Sequence, residues 1–380
     1  MNKHLSPILP YILFSIICKN SIAGYGDYSD SIPSAREREV HVMTNAVRMD
    51  PEGFRDLYIK GADILKAENY PPTTPLWYNH ELNIAARFHS VDMAVNCGLS
   101  HHSCDGTNFA NRIKNYYKTS SSIAENVATG RSTGFMTVIQ WLRDDNNQGV
   151  PAEDLSSGDG HRKNIMNPKY YELGCGYAYS NSRKHNHFWT QDFGGGTDKD
   201  YYKIPAGCHF KPNASTLSYA ANYYDASGVA PKTASVIIDE KSYPMALHLG
   251  SASKGTYLLS TNNDEEMHCY YFVFTDCSGN TVRYPHTSIL STGERPVCEN
   301  VSIKNDWLPR SKISSNKTNP RGDLLTCKHF ISGANQLTHT HSHYRLDGVK
   351  ITGKLHQYYS SGIWIYGKTK TGQESITLKK

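Results

Sequence analysis

The spacing of apolar positions divides the chain into two halves of different character. Ser34-Ala35-Arg36-Glu37 carries the serine and glutamate of a capping box, and Val40, Met43 and Val47 follow at three- and four-residue spacing, which predicts a helix. Beyond a loop marked by Pro71-Pro72 and Pro75, residues Leu82, Ala85, Ala86, His89 and Met93 recur with helical period toward Cys97. Phe109, Ile113 and Tyr116 predict a short helix, and Phe135, Val138, Ile139 and Leu142, with Trp141 beside them, predict another. Residues 170–179 and 188–193 alternate instead and are rich in aromatics, so they read as strands, closed by Gly194-Gly195-Gly196.

From about residue 225 helical periodicity almost disappears. Short β-rich runs occupy 234–238, 245–249, 256–259, 270–275 and 281–284, separated by turn clusters such as Asp276-Cys277-Ser278-Gly279. Further strands are expected at 337–346, 349–351 and 363–366. Regular short strands with turn signals imply an all-β sandwich. A length of 380 residues fits two domains. The expected organisation is an α+β domain over residues 34–200, a linker over 201–229, a β-sandwich over 230–367 and a polar, Lys-rich tail over 368–380.

Residues 1–23 read as a secretory signal. Lys3 and His4 make a basic start, and the apolar run over residues 5–17 is too short to span a bilayer. Ser21-Ile22-Ala23 places small residues three and one positions before a cut, so Gly24 is the expected mature start. Ile17 is too bulky to precede a lipidated Cys18, and no later stretch has the length and apolarity of a transmembrane helix. A secreted, extracellular protein without a transmembrane segment is expected.

Cysteine usage agrees with that compartment. Removing Cys18 from nine cysteines leaves eight, an even number in an oxidising environment. Cys97, Cys104, Cys175 and Cys208 lie in the first half, and Cys269, Cys277, Cys298 and Cys327 in the second. No Cys-x-x-Cys pair is present, which argues against a thiolate zinc site or a redox dithiol. Two disulfides per half are expected; a Cys97–Cys104 pair would pin the loop carrying His101, with the connectivity otherwise open. Sequons at Asn213, Asn300 and Asn316 suit a surface exposed to a glycosylating host. The net charge of +5 falls to +3 once Lys3 and Lys19 leave with the signal, and this mild, dispersed excess makes no nucleic-acid footprint.

Candidate chemistry concentrates in three short segments: Ser100-His101-His102-Ser103-Cys104-Asp105-Gly106, Ala124-Glu125-Asn126 and Gly160-His161-Arg162. Imidazoles and a carboxylate together suit a divalent metal or acid/base work. Two neutral imidazoles make an open, incomplete zinc shell, and a nearby carboxylate can orient an imidazole or take a proton. The alternative is a carboxylate that only holds the loops of a cleft. His89 lies on the apolar face of its helix and reads as a core histidine, and Ser103 as a hydrogen-bonding loop serine, since no nucleophile elbow surrounds it. His80, His185 and His187 sit near element ends and read as solvated. In the second half, His339, His341 and His343 alternate on one strand face, and Arg321-Gly322-Asp323 forms an integrin-type tripeptide; an exposed polar face and chance are the favoured explanations.

The same segments resemble the CAP superfamily, also called SCP/TAPS, which includes cysteine-rich secretory proteins, antigen 5 allergens and plant pathogenesis-related 1 proteins. Residues 100–106 are similar to its SH-x-S-x-D-G motif, and Ala124-Glu125-Asn126-Val127-Ala128 to its GEN-[IVL]-A motif, with alanine for the usual glycine. Residues 157–166 resemble S-x-GHR-x-NIL, Leu173-Gly174-Cys175-Gly176-Tyr177-Ala178 the IG-x-G-x-A strand, and Trp189-Thr190-Gln191-Asp192-Phe193-Gly194 the WTQDFG strand. Asn45-Ala46-Val47-Arg48 fits the first-helix N-x-x-R. The resemblance implies a three-layer α-β-α sandwich with a cleft holding two histidines and two acids, the histidines binding a divalent cation in several members. It places His101, with His102 as the alternative register, and His161 as the metal histidines, and Glu125 as one acid. The W-Y-x-E position falls on Asp144, one methylene shorter, with Glu153 as the fallback.

Three functions follow as expectations. The first is a binding protein for a lipid, sterol or other small hydrophobic ligand, or an extracellular protein partner, with a zinc-capable cleft. The second is a metal-dependent hydrolase using His101, Glu125 and His161. The third is an adhesion protein acting through the second domain, which resembles immunoglobulin-like segments at Gly255-Thr256-Tyr257, Cys269-Tyr270-Tyr271-Phe272 and Arg283-Tyr284-Pro285.

Overall fold

The computed structural model describes residues 24–28, 32–144, 160–196, 202–293 and 298, with short strand pieces at 343–344, 350–351, 366–368 and 374–376. The signal segment, Glu153, Asn300, Asn316, Cys327, His339, His341 and the Arg-Gly-Asp tripeptide lie outside the described residues.

Helix α1 (Ala35–Met49) opens on the expected capping box, with Ser34 accepting from the Glu37 backbone and Glu37 from the Ser34 N–H. Asp50 closes it and caps α2 (Pro51–Tyr58), whose proline fits the first turn. Asn79 caps α3 (His80–Asp92), which runs on into a π-helical stretch, Met93–Cys97. Helices α4 (Phe109–Tyr116) and α5 (Gly134–Arg143) start on Asn108 and Thr133 caps, and α6 spans Gly160–Met166. Four strands, β1 (Trp77–Tyr78), β2 (Ile123–Thr129), β3 (Glu172–Tyr179) and β4 (His187–Gly194), form a sheet in the order β1-β3-β4-β2. Helix α3 covers one face and α1 and α5 the other, with Trp141, Trp189 and Phe193 in the core between. The alternation of Gly174 and Gly176 with larger residues has a direct cause: a Cβ on Gly174 would sit 2.0 Å from the Leu82 carbonyl carbon, and one on Gly176 2.1 Å from the Ala86 oxygen. Those glycines let the backbone of α3 lie against β3.

The second half is built from two sheets. β5 (Gly207–Asn213), β6 (Thr216–Tyr224), β10 (Lys254–Asn262) and β9 (Ala246–Ser251) form one, in the order β5-β6-β10-β9. β7 (Thr233–Ile238), β8 (Lys241–Pro244), β11 (Cys269–Thr275) and β12 (Thr281–Tyr284) form the other, ordered β12-β11-β7-β8, with β13 (Leu290–Ser291) added to β11. Tyr219, Tyr223, Val236, Tyr270, Phe272 and Phe274 make the core between them.

Residues 207–224, expected within the linker over 201–229, are the antiparallel pair β5–β6 instead. Their alternate side chains serve two cores. Cys208, Phe210 and Ala220 pack against α1, while Leu217, Tyr219, Ala221 and Tyr223 face the second sheet. Both faces are covered, so α1 lies between two sheets, and the first core extends from the first half to Cys208, Phe210, Ala220 and Leu249 of the second. The Asn222 side chain donates to the Val42 carbonyl at 3.2 Å and to Thr256 Oγ1 at 2.9 Å, and Arg38 donates to the Tyr284 hydroxyl at 2.8 Å.

The disulfide expectation needs one correction. Cys97–Cys104 and Cys269–Cys298 are bridged, and Cys277 is also disulfide-bonded, but Cys175 and Cys208 are free, buried thiols. Burial pushes both thiols well up; the next contribution comes from Glu37 at Cys175 and from Glu39 at Cys208. Glu37 and Glu39 are two residues apart on α1 and face opposite sides of it. The helix separates the two sulfurs. Among the described residues, no helix is long and apolar enough to cross a membrane.

Candidate functional site

Strand β2 is an edge strand, and its central residues Glu125 and Asn126 point to opposite faces of the sheet. On the α3–α4 side, Glu125 accepts a hydrogen bond from His101 Nδ1 at 2.9 Å on Oε1, and from the Arg112 guanidinium on Oε2. Arg112 also donates to the His101 carbonyl at 3.2 Å and to Ser103 Oγ at 3.0 Å, which fixes the loop carrying the histidine. Ser103 is thus a loop-holding serine. The Cys97–Cys104 disulfide and a bond from the Cys104 N–H to Asp92 at 2.8 Å tie the same loop to the end of α3.

On the opposite face, Asn126 donates to Gln191 at 3.1 Å and to the His161 carbonyl at 3.2 Å. Asn164 of α6 donates to Asn126 Oδ1 at 2.9 Å and to the Glu125 carbonyl at 3.3 Å. These bonds pin α6, and with it His161, to the same point of β2. Asp144 follows α5 in a left-handed conformation, φ 48° and ψ 40°. From there its carboxylate accepts the His161 N–H at 3.1 Å and holds His161 Nδ1 at 2.5 Å.

The two imidazoles therefore share one arrangement. Each Nδ1 faces a buried carboxylate, a partner that favours Nδ1 as donor and leaves Nε2 as the ligand atom. The acids are shielded, with side chains 1% exposed at Glu125 and 4% at Asp144, whereas His101 is 49% and His161 31% exposed. The neighbouring His102 is held through its backbone instead, its N–H donating to Ser100 Oγ at 2.9 Å on the exposed side of the loop. The His101 register is the one that meets an acid. Among the described residues, the one group of three metal-type ligand atoms within 4.8 Å is Asp92, Cys97 and Cys104. Its two sulfurs form the disulfide, so it is no metal site.

Several participants lie outside the residues singled out from sequence. Asp192 pairs with Glu125 across β2 and β4 and is fully buried, with neither carboxyl oxygen hydrogen-bonded. Burial, then the Glu125 charge, push its carboxyl well above the usual range against the opposing pull of Arg112. Its charged form is disfavoured beside the Glu125–Arg112 ion pair. His89 is a core histidine as expected, yet it also serves the site: its Nε2 meets the Ser100 carbonyl at 2.7 Å and lies 4.0 Å from Glu125. Burial lowers its basicity, with Glu125 opposing. The signal available for Asp192 was an acid in mid-strand among buried neighbours; Arg112 gave none, being one arginine on a polar helix.

Comparison with known proteins gives the domain its family. The family described as the cysteine-rich secretory protein family, CAP, matches residues 43–193. The uncharacterized protein YkwD of Bacillus subtilis (strain 168) is 28% identical over 160 residues, 42% of this chain and 47% of that protein, so the chain spans about half the length of this relative. An extracellular protein containing a SCP domain from Bacillus anthracis str. Ames is 21% identical, over 39% of this chain and 42% of its own, with a TM-score of 0.26. The venom allergen-like protein 4 of Schistosoma mansoni is 19% identical, over 46% of this chain and 95% of its own, with a TM-score of 0.30. The family match and the motif residues in their three-layer setting make residues 43–193 a domain of the cysteine-rich secretory protein family, CAP.

Proposed function

We propose that this is a secreted binding protein whose CAP domain presents His101 and His161 as a divalent-cation site beside an apolar contact surface. The observation that carries the reading is the paired arrangement at the two histidines: each Nδ1 faces a buried carboxylate, while the ring stays exposed. That is the outer-shell support expected of metal-binding imidazoles. Zinc or a similar ion would be held by the two Nε2 atoms, with Glu125 and Asp144 behind them. Such an ion supplies a Lewis-acidic centre with open positions.

The apolar surface supports a ligand or partner with hydrophobic character. Phe88, Val91 and Val95 recur along α3 and its π-helical extension and are exposed, and Leu99 follows just before the His101 loop. An exposed run of this kind marks a contact site more often than chance. Two disulfides in the described residues fit an extracellular setting.

The hydrolase reading is second. Both oxygens of Glu125 are already engaged, one by His101 and the other by Arg112, which leaves it poorly placed to take a proton from water. Calorimetric titration with zinc tests the first reading: His101→Ala and His161→Ala should each abolish most of the binding. Unchanged binding in both variants overturns it.

A further inference from the structure

The residues just after the expected signal cleavage point occupy a fitted seat between the two halves. Gly24 to Asp27 make a tight turn, closed by the Asp27 N–H on the Gly24 carbonyl at 3.0 Å. Asp27 is 5% exposed. Its Oδ1 accepts the backbone N–H groups of Thr287 and Ser288 at 2.9 and 2.8 Å, and its Oδ2 accepts the Thr287 hydroxyl and the Gly24 nitrogen, the latter at 2.5 Å. The His286 N–H donates to the Tyr25 carbonyl at 2.8 Å. The Tyr25 hydroxyl donates to the Pro205 carbonyl at 2.6 Å and accepts the Tyr78 N–H at 2.7 Å, while its ring stacks on Tyr202 at 4.1 Å. One short turn thus touches β1 of the CAP domain, the segment entering β5 and the loop after β12.

Residue 24 suits this seat as a glycine. A Cβ there would lie 2.9 Å from Asp27 Oδ2 and 3.0 Å from both the His286 Cβ and the Thr287 Cγ2. Gly26 has φ +71° with the Tyr284 ring where a Cβ would go. Asp27 is an anion: burial works against its charge, but hydrogen bonds from Thr287 and Ser288 outweigh burial and hold its carboxyl below the usual range. Among the described residues it has no side-chain ion pair. The nearby Arg283 guanidinium is directed at the Pro285 and Ser288 carbonyls, at 2.5 and 2.7 Å. Arg283 is close enough to feel the Asp27 charge but bonds elsewhere, so the position in contact with the carboxylate's remaining oxygen is held by a backbone nitrogen, not by a side-chain cation.

We propose that removal of the signal supplies a cation there: the α-ammonium of Gly24, freed by cleavage after Ala23, pairs with Asp27 and makes the new N-terminus part of the clasp between the halves. The proposal rests on the secretion reading. Hydrolysis by a signal peptidase adds water across the Ala23–Gly24 amide: the C–N bond breaks, Ala23 leaves as a carboxylate carrying the water oxygen, and the Gly24 nitrogen takes both water protons to become an ammonium. A neutral amide donor becomes a cation at the same position. The precursor can make the hydrogen bond, but only the processed chain makes the ion pair.

Two measurements test this. Intact mass and N-terminal sequencing of the chain exported from a secreting host should give Gly24 as the first residue; a different first residue overturns the processing point, and retention in the cell overturns the secretion reading itself. Independently, protein starting at Gly24 is compared with protein retaining Ala23, both prepared by protease removal of a fusion tag. The Gly24 form should melt about 2 to 4 °C higher, and its α-amine should react with an acetylating reagent at least roughly tenfold more slowly than the free peptide Gly-Tyr-Gly-Asp, because an ion-paired ammonium gives up its proton reluctantly. Asp27→Asn should abolish the melting difference. Should that variant fail to fold, the acetylation rate of the unaltered Gly24 form decides: an amine as reactive as the peptide's overturns the pairing.

Discussion

The two histidine–carboxylate pairs orient their imidazoles alike but are built differently. Glu125 sits in a dense network, with His101 and Arg112 on its two oxygens, Asp192 across the strand pair and His89 4.0 Å away. Asp144 acts locally, joining the end of α5 to the start of α6 through one residue, His161. The shorter side chain meets His161 from a left-handed backbone position, φ 48°. The difference also predicts where each acid acts, with Glu125 supporting the fold as well as the site and Asp144 mainly the site.

The largest effect should follow from breaking the Glu125 network. Arg112→Met leaves the Glu125 charge buried without its cation and should cost about 3–5 kcal/mol in urea unfolding. Adding Glu125→Gln to it removes both charges and should recover part of that loss; a single variant within about 1 kcal/mol of the parent would contradict the network. Asp144→Asn should behave in the opposite way. Asparagine accepts the left-handed conformation and retains an acceptor, so stability should change by about 1 kcal/mol or less. Its loss of charge behind His161 should weaken zinc binding about 10- to 100-fold in calorimetry. Equal losses of stability in Glu125→Gln and Asp144→Asn would erase the contrast.

The sequence revealed the elements and motif order more readily than the contacts. His101, Glu125 and His161 could be named because each sits in a short segment of distinctive residues, and the capping box, α3, α5 and the strand alternation follow local rules. The position of Asp144 was readable, but its contact with His161 was not, since the two residues lie 17 apart in sequence and meet only in the fold. Asp192 and Arg112 meet Glu125 from a neighbouring strand and a different helix, which no spacing along the chain encodes. The strand pair β5–β6 was read as linker because both its faces are covered: Ala220 faces α1 and Tyr219 the second sheet, so no single apolar alternation stands out. The free thiols Cys175 and Cys208 show the same limit, since an even cysteine count says nothing about a helix lying between two of them.

A smaller effect concerns three shielded histidines, His41, His209 and His248. Burial pushes His41, His209 and His248 each down to about 4, and each ring contacts one partner: the Leu76 carbonyl at 2.8 Å, the Tyr270 hydroxyl at 2.9 Å, and the Tyr58 hydroxyl. Unfolding returns such a ring to its ordinary value near about 6.5. Between those limits the unfolded chain takes up a proton that the folded chain refuses. The stability contributed is therefore complete above about 6.5 and is lost as pH falls toward 4, at about 1.4 kcal/mol per pH unit for each proton. Glu39 acts with the opposite sign, because burial raises it to about 7 and the folded state keeps its proton where the unfolded one releases it. Three rings against one carboxyl leave the fold sensitive to acid. His209→Gln retains a partner for Tyr270 and removes one of the three protons, so the slope of unfolding free energy against pH over about 4.5 to 6 should become shallower by about 1.4 kcal/mol per unit. Urea titrations at four pH values measure it, and a parallel slope in the variant would show that His209 does not titrate between the folded and unfolded states.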